Sequence, residues 1–225
     1  MEGSFGHFPV DIVVFALIAV FLALRLRSVL GKKVGFTAAP IPQAAPPGPT
    51  GPVIEGRAVP VAAMRFDVPD PATRVGTVLA EVARKEPGFV PQQFLSGVEG
   101  AFRQIVTAYA AGNRAVLKER LTADAFAAFD AAITARESAQ ETQKSEIRAI
   151  DSIAIEDVVL KDSPVGTGAT IDVRIVSDQI SLVVDAEGKP VTGTDAVTEF
   201  SDLWTFEKLL GVSGATWRLA AARSA

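Results

Sequence analysis

The residues from Thr194 to Leu209 read as a strand with one acidic side chain among aromatic ones. Strict alternation puts Asp202 on one face with Phe200, Trp204 and Phe206. A carboxyl held on an aromatic, core-facing surface titrates high and could act as a general base, given donors for a developing oxyanion. Tyr109 is the only tyrosine, and its place on an apolar helical stripe fits an amphipathic core residue better than an oxyanion donor. Two plainer readings of Asp202 compete with the base: a bulge that turns it outward, or an ion pair with a nearby arginine such as Arg103 or Arg174. These plainer readings are the expectation.

Other chemistries lack their residues. The chain has no cysteine, and its single histidine, His7, lies near the N-terminus. Disulfides, thiolate metal sites, cysteine nucleophiles and Ser-His-Asp catalysis in the C-terminal part are excluded, and no cofactor is expected. Glu137, Glu141, Glu146 and Asp151 fit no known cation loop and read as a solvated face. Gly97-Val98-Glu99-Gly100 lies within a helical pattern and is not followed by Lys-Ser/Thr, so it is no phosphate loop. A formal net charge of −4 argues against a general nucleic-acid binder.

The elements that must position these residues follow from periodicity. Asp70-Pro71 predicts a helix N-cap and first position, with Val75, Val78, Leu79 and Val82 at helical spacing and Glu86-Pro87-Gly88 as the stop. Arg74, Arg84 and Lys85 make part of its other side cationic. We expect this helix to pack on the domain, the alternative being the membrane surface. Pro91 to Ala111 predicts a longer helix with Phe94, Leu95, Val98, Phe102, Ile105, Val106 and Tyr109 on one stripe, ended by Gly112-Asn113. A short helix (Ala115 to Leu121) and a third one capped by Thr122 follow, the latter carrying Phe126, Phe129 and Ile133. Residues 136–144 are so polar that a solvated, mobile end is expected there.

The period then changes to two. Strands are predicted over Ile147 to Leu160, over Ala169 to Ile175 with a continuation through Ile180, Leu182 and Val184, over Thr194 to Leu209, and over Ala215 to Ala222. Helices followed by antiparallel hairpins give an α+β class, with helices packed on one face of a curved sheet.

The N-terminal part reads differently. Phe8 to Leu30 is long and apolar enough to cross a bilayer, which takes about 20 residues. Arg25 and Arg27 lie at its inner end and Lys32 and Lys33 just behind it, at the membrane interface, and no lysine or arginine precedes it. That order is the reverse of a cleaved leader and predicts a retained anchor. By the positive-inside rule the N-terminus lies outside and the C-terminal bulk in the cytoplasm, with the basic residues suited to anionic lipid. The stretch from Ala38 to Pro52, rich in Pro, Gly and Ala, predicts a linker, and Val53 to Val68 is expected to be extended. The expected organisation is a short outer segment (1–8), a transmembrane helix (9–30), a basic then Pro/Gly/Ala-rich linker (31–68), an amphipathic helix (69–88) and an α+β domain (89–225).

Several phrases resemble a known family. Leu26-Arg27-Ser28-Val29-Leu30-Gly31-Lys32-Lys33, Phe94-Leu95-Ser96-Gly97-Val98-Glu99-Gly100-Ala101-Phe102, and Asp202-Leu203-Trp204-Thr205-Phe206-Glu207-Lys208 with Trp217-Arg218-Leu219 stand in the order found in bacterial relatives of the forty-four-kilodalton Tim subunit of the mitochondrial presequence translocase, the Tim44-like domain family. The resemblance implies a cystatin-like cone, the fold shared with nuclear transport factor two and the ketosteroid isomerases. It also implies chaperone or translocation components as protein partners, and contact with anionic lipid. The long N-terminal chaperone-binding region of the mitochondrial protein has no counterpart here. Gly211-Val212-Ser213-Gly214-Ala215 also departs from the more polar family pattern.

The expected pocket of such a cone would be lined by Phe102, Ile105, Tyr109, Phe129, Phe200, Trp204, Phe206 and Trp217. The expected function is a non-enzymatic, membrane-anchored protein-binding module in membrane-protein biogenesis or transport. The alternatives are a pocket enzyme acting on an apolar carbonyl compound, and a lipid-binding scaffold.

Overall fold

A computed structural model describes residues 65–225. The anchor, the linker and the interface residues Arg25, Arg27, Lys32 and Lys33 lie outside the described residues. A short strand β1 (Arg65–Asp67) leads into four helices: α1 (Arg74–Lys85), α2 (Pro91–Ala110), α3 (Arg114–Arg120) and α4 (Ala123–Ser138). Four strands follow: β2 (Thr142–Ser163), β3 (Gly166–Val184), β4 (Pro190–Leu209) and β5 (Arg218–Ser224). They form one five-stranded sheet in the order β1-β2-β3-β4-β5. β2 to β5 is an antiparallel meander, and β1 adds to the edge of β2 in parallel. The α+β class is as expected; β1, which pairs with β2 from within the stretch expected to be linker, adds a strand to those predicted. Among the described residues, no helix is long and apolar enough to cross a membrane.

Local chemistry sets the helix ends. The first helix starts later than Asp70-Pro71 predicts. Thr73 is the N-cap, its side chain accepting from the Gly76 amide at 3.0 Å. Asp70 instead builds the turn before it, its carboxylate accepting from the Ala72 amide at 2.8 Å. The turn folds back so closely that a Cβ on Gly76 would sit 2.1 Å from the Asp70 carbonyl oxygen. Leu79 and Val82 are buried in the main core, so α1 packs on the domain as expected. α2 ends where Gly112 takes a left-handed conformation, φ +66°. Thr122 caps α4 as predicted, accepting from the Ala125 amide.

The polar stretch expected to be a solvated end is cut shorter. α4 stops at Ser138, Gln140 adopts φ +57°, and Thr142-Gln143-Lys144 opens β2 rather than extending a loop. Ladder pairing with β3 supplies partners that the local sequence does not reveal: Gln143 faces Val183 and Ser145 faces Ser181. Likewise the two predicted segments 169–175 and 180–184 are one strand, with a register shift against β4 between Gln179 and Ser181.

Length explains the shape. A 20-residue helix such as α2 spans about 30 Å. The 22 residues of β2 would reach about 70 Å if straight. Three register shifts along β2, at Ile147/Ala149, Ile150/Ser152 and Ile155/Asp157, interrupt its ladder, and such shifts bend strands. The long strands therefore carry sheet surface beyond what the helices can cover with apolar contact. At the covered end, Ile171, Val173 and Ile175 of β3 are fully buried with Phe102 and Leu95 of α2 and Leu219 of β5.

Candidate functional site

Two aromatic groups occupy the concave side. Near the start of α2, Phe94 meets Trp217 at 5.0 Å and Phe206 edge-on at 6.0 Å, with Phe89 against both Phe94 and Trp217. This group is packed core. Further along, Phe102 and Trp204 lie 4.8 Å apart, and Tyr109 and Phe129 meet edge-on at 5.2 Å. Beyond Trp204 the core opens into a cavity of about 380 Å³.

The apolar wall of the cavity comes from Ile105, Val106 and Tyr109 of α2, from Phe129 and the small residues Ala128, Ala132 and Ala135 of α4, and from Trp204 and Ala222. The alanines leave space where larger side chains would fill it. The polar wall comes from Arg136, Glu141, Gln143, Ser145, Gln179, Ser181 and Asp202. Of the eight aromatic and apolar residues expected to line a pocket, Ile105, Tyr109, Phe129 and Trp204 do so. Phe102 is wholly buried behind Trp204, and Phe206 and Trp217 belong to the packed group at the other end. Phe200 is half-buried on β4 and is not part of this lining.

Of the two plainer readings of Asp202, the outward bulge is not found. Asp202 is 8% exposed and faces inward, paired in register with Ile175, so no bulge turns it out. Arg103 pairs with Glu99 at 3.1 Å, and Arg174 pairs with Glu156 at 2.7 Å. The two arginines proposed as partners thus serve other carboxylates on the surface.

Two of the other acidic candidates, Glu137 and Glu146, are held in ion pairs. Glu137 accepts two hydrogen bonds from Arg114, which also holds Asp130; Arg114 keeps the Glu137 carboxyl below its usual range. Glu146 pairs with Arg148 at 2.8 Å. Among the described residues no cluster of three or more acidic or histidine side chains could hold a metal.

Arg136 is the organising residue of the polar wall. Its guanidinium donates to the Tyr109 and Ala110 carbonyls at 2.8 and 3.3 Å, satisfying the C-terminus of α2, and it lies 5.0 Å from the Tyr109 ring. The same group donates to the Gln143 side-chain oxygen. Gln143 in turn donates from Nε2 to Ser145 Oγ at 3.1 Å. On the neighbouring strand, Gln179, only 2% exposed, donates to the buried Ser177 hydroxyl at 2.9 Å. Sequence reasoning missed this wall. The signal was the parity of β3, because Ser177 and Gln179 continue the inward positions of Ile171, Val173 and Ile175.

Residues 75–224 match the family model of the Tim44-like domain. The chain belongs to that family. No curated protein matches the sequence. Two solved structures are similar to this Tim44-like domain. The intermembrane space region of the chloroplast protein ARC6 is 12% identical, covering 58% of this chain and 95% of that one, with a TM-score of 0.41. An NTF2-like protein of unknown function in nutrient uptake from Rhodospirillum rubrum is 13% identical, covering 56% and 94%, with a TM-score of 0.29.

Proposed function

We propose that the chain is a membrane-anchored protein-binding module at the cytoplasmic face of the bacterial inner membrane, working without turnover. The Tim44-like match over residues 75–224 carries this reading, together with the apolar run and basic cluster that precede the domain in the sequence. The anchor fixes the domain near the bilayer. The Pro/Gly-rich stretch sets its reach and so the effective concentration for weak contacts. The partners in this reading are proteins of membrane-protein biogenesis or transport, chaperone or translocation components by family resemblance. Anionic lipid meets Arg25, Arg27, Lys32 and Lys33.

Topology tests the first half of the reading. A reporter active only in the periplasm, fused after Ala225, is expected to stay silent, and activity there would overturn the orientation. Asp202→Asn tests the second half. The variant is expected to capture partners as the parent does, whereas loss of a measurable turnover with folding intact would make the cavity an enzyme site. Native mass spectrometry of the purified chain addresses the scaffold alternative: copurified acyl chains bound in stoichiometric amount would favour lipid binding over protein tethering.

A further inference from the structure

One edge of β2 is almost bare. The strand runs over 22 residues, and β3 pairs with it from Thr142 to Ser163. Among the described residues the opposite edge meets only β1, which pairs Arg65, Phe66 and Asp67 with Ser152, Ile153 and Ala154. Over residues 142–151, alternate residues therefore turn their N–H and C=O groups away from the sheet. An open edge of that length is a hazard that proteins cover or blunt. The register shifts at Ile147/Ala149 and Ile150/Ser152 blunt it only in part.

Direction decides what reaches this edge first. The β1 pairing is parallel, so the chain ahead of Arg65 arrives from the Thr142 end of β2. Phe66 is half-buried and packs on the core, while Arg65 and Asp67 are exposed. Continued alternation would set Met64 and Ala62 on the inward side with Phe66, toward Ile150 and Ile147, which belong to the core or pack against it. Residues 58–64 carry no charge, and Val59 and Val61 are β-branched. Pro60 is compatible with an edge strand, whose outer side donates to no neighbour. The six residues 59–64 span about 20 Å as a strand, which from Ser152 reaches the part of β2 near Ser145.

We propose that residues 59–64 continue β1 as a parallel strand along the open edge of β2. The occupant is a segment of this chain rather than a second copy, because it is already joined in register at Arg65 and loses no translational freedom on pairing. A second copy would also have to stop at Ser152, where β1 holds the edge. Gln143 and Ser145 of β2 line the cavity, so the upstream chain would leave the domain beside the cavity rather than at the α1 end. The pairing is independent of the anchoring proposed above.

Hydrogen exchange of the full chain in detergent solution, read by mass spectrometry, tests the pairing. Residues 59–64 and the edge-facing amides of 144–151 are expected to exchange slowly. Replacing residues 59–64 by Gly and Ser should speed exchange of those β2 amides about tenfold, the size of one hydrogen bond. Residues 157–163, beyond β1, should be unchanged, and so should the buried β3 positions 171–175, which check the fold. At least one of Ala62→Pro and Ala63→Pro should act like the replacement, because alternate residues of the segment donate to β2. Fast exchange of residues 59–64 in the parent would overturn the proposal. So would unchanged exchange over 144–151 after the replacement, or protection there that rises with protein concentration, the mark of a second copy.

Discussion

The two halves of β3 share one strand, one alternation and one inward face, yet they end in different environments. From Ala169 to Ile175 every inward side chain is apolar and fully buried against α2 and β5. From Ser177 to Ser181 the inward side chains are polar, and Gln179 and Ser181 border a cavity. The difference lies in what stands opposite. The first half faces Phe102, Leu95 and the large side chains of α2. The second faces the C-terminal end of α2 and the alanines of α4, which do not fill the space. An inward position therefore means core only where a helix of sufficient bulk covers it. Elsewhere the same parity yields a lined cavity whose polar groups need specific partners.

That contrast can be broken from either side. The largest effect belongs to the covered half: Phe102→Ala should cost about 3–5 kcal/mol in urea unfolding, because Phe102 is wholly buried beside Trp204. The cavity-lining Phe129→Ala, half-buried, should cost only about 1–2 kcal/mol on the burial scale. Equal losses would mean that the open end is as tightly packed as the core. Arg136→Met should cost about 2 kcal/mol, since it removes the bonds to the α2 carbonyls and frees Gln143. Its signature should be local, with faster amide exchange at the ends of α2 and β2.

A smaller effect tests the closed end. Glu86 accepts from Lys208 at 2.9 Å and from the Gly211 amide at 2.8 Å, tying the end of α1 to the turn after β4. The Lys208 bond, then the Gly211 bond, holds its carboxyl below the ordinary value of 4.5. A carboxyl whose folded pKa is depressed adds stability above its unfolded pKa and loses it as pH falls through the folded value. The parent should therefore lose stability below about pH 4.5. Glu86→Gln should be about 1–2 kcal/mol less stable at pH 7, with a flatter acid limb, and an identical acid limb would refute the clamp. The smallest effect is expected at the surface. Arg74 pairs with Asp157 but its side chain is 67% exposed, so Arg74→Gln should change stability by no more than about 0.5 kcal/mol.

How much of this was legible depended on the range of the interaction. The stop at Glu86-Pro87-Gly88, the end of α2 at Gly112 and the Thr122 cap are short-range and were readable. So were the helix stripes and the aromatic face of β4, which placed Ile105, Tyr109, Phe129 and Trp204 near one another. Phe206 and Trp217 share those patterns but pair with Phe94, a choice made by the sheet's curvature, which sequence periodicity does not encode. The start of β2 falls in the stretch expected to be a solvated end, because its partners, Val183 and Ser181, are about forty residues away and reward pairing only after the meander closes. Asp202 shows the same limit in reverse. Its inward parity was clear, but a buried carboxyl on an apolar face argued for a bulge or an ion pair, and the structure keeps it inward at the cavity wall without a bulge. The residues before Arg65 lie outside the described structure, so the anchor rests on the sequence alone.

The measurement that bears most directly on the proposed role is photo-crosslinking in native membranes. A photoreactive residue would be placed in turn at Ala135 and at Val183, on the cavity wall, and at Val165, 75% exposed on the opposite hairpin. A protein component of membrane biogenesis or transport captured from Ala135 or Val183 and not from Val165 is the result the tethering account predicts. Lipid alone at all three positions, or no protein above background, would contradict it.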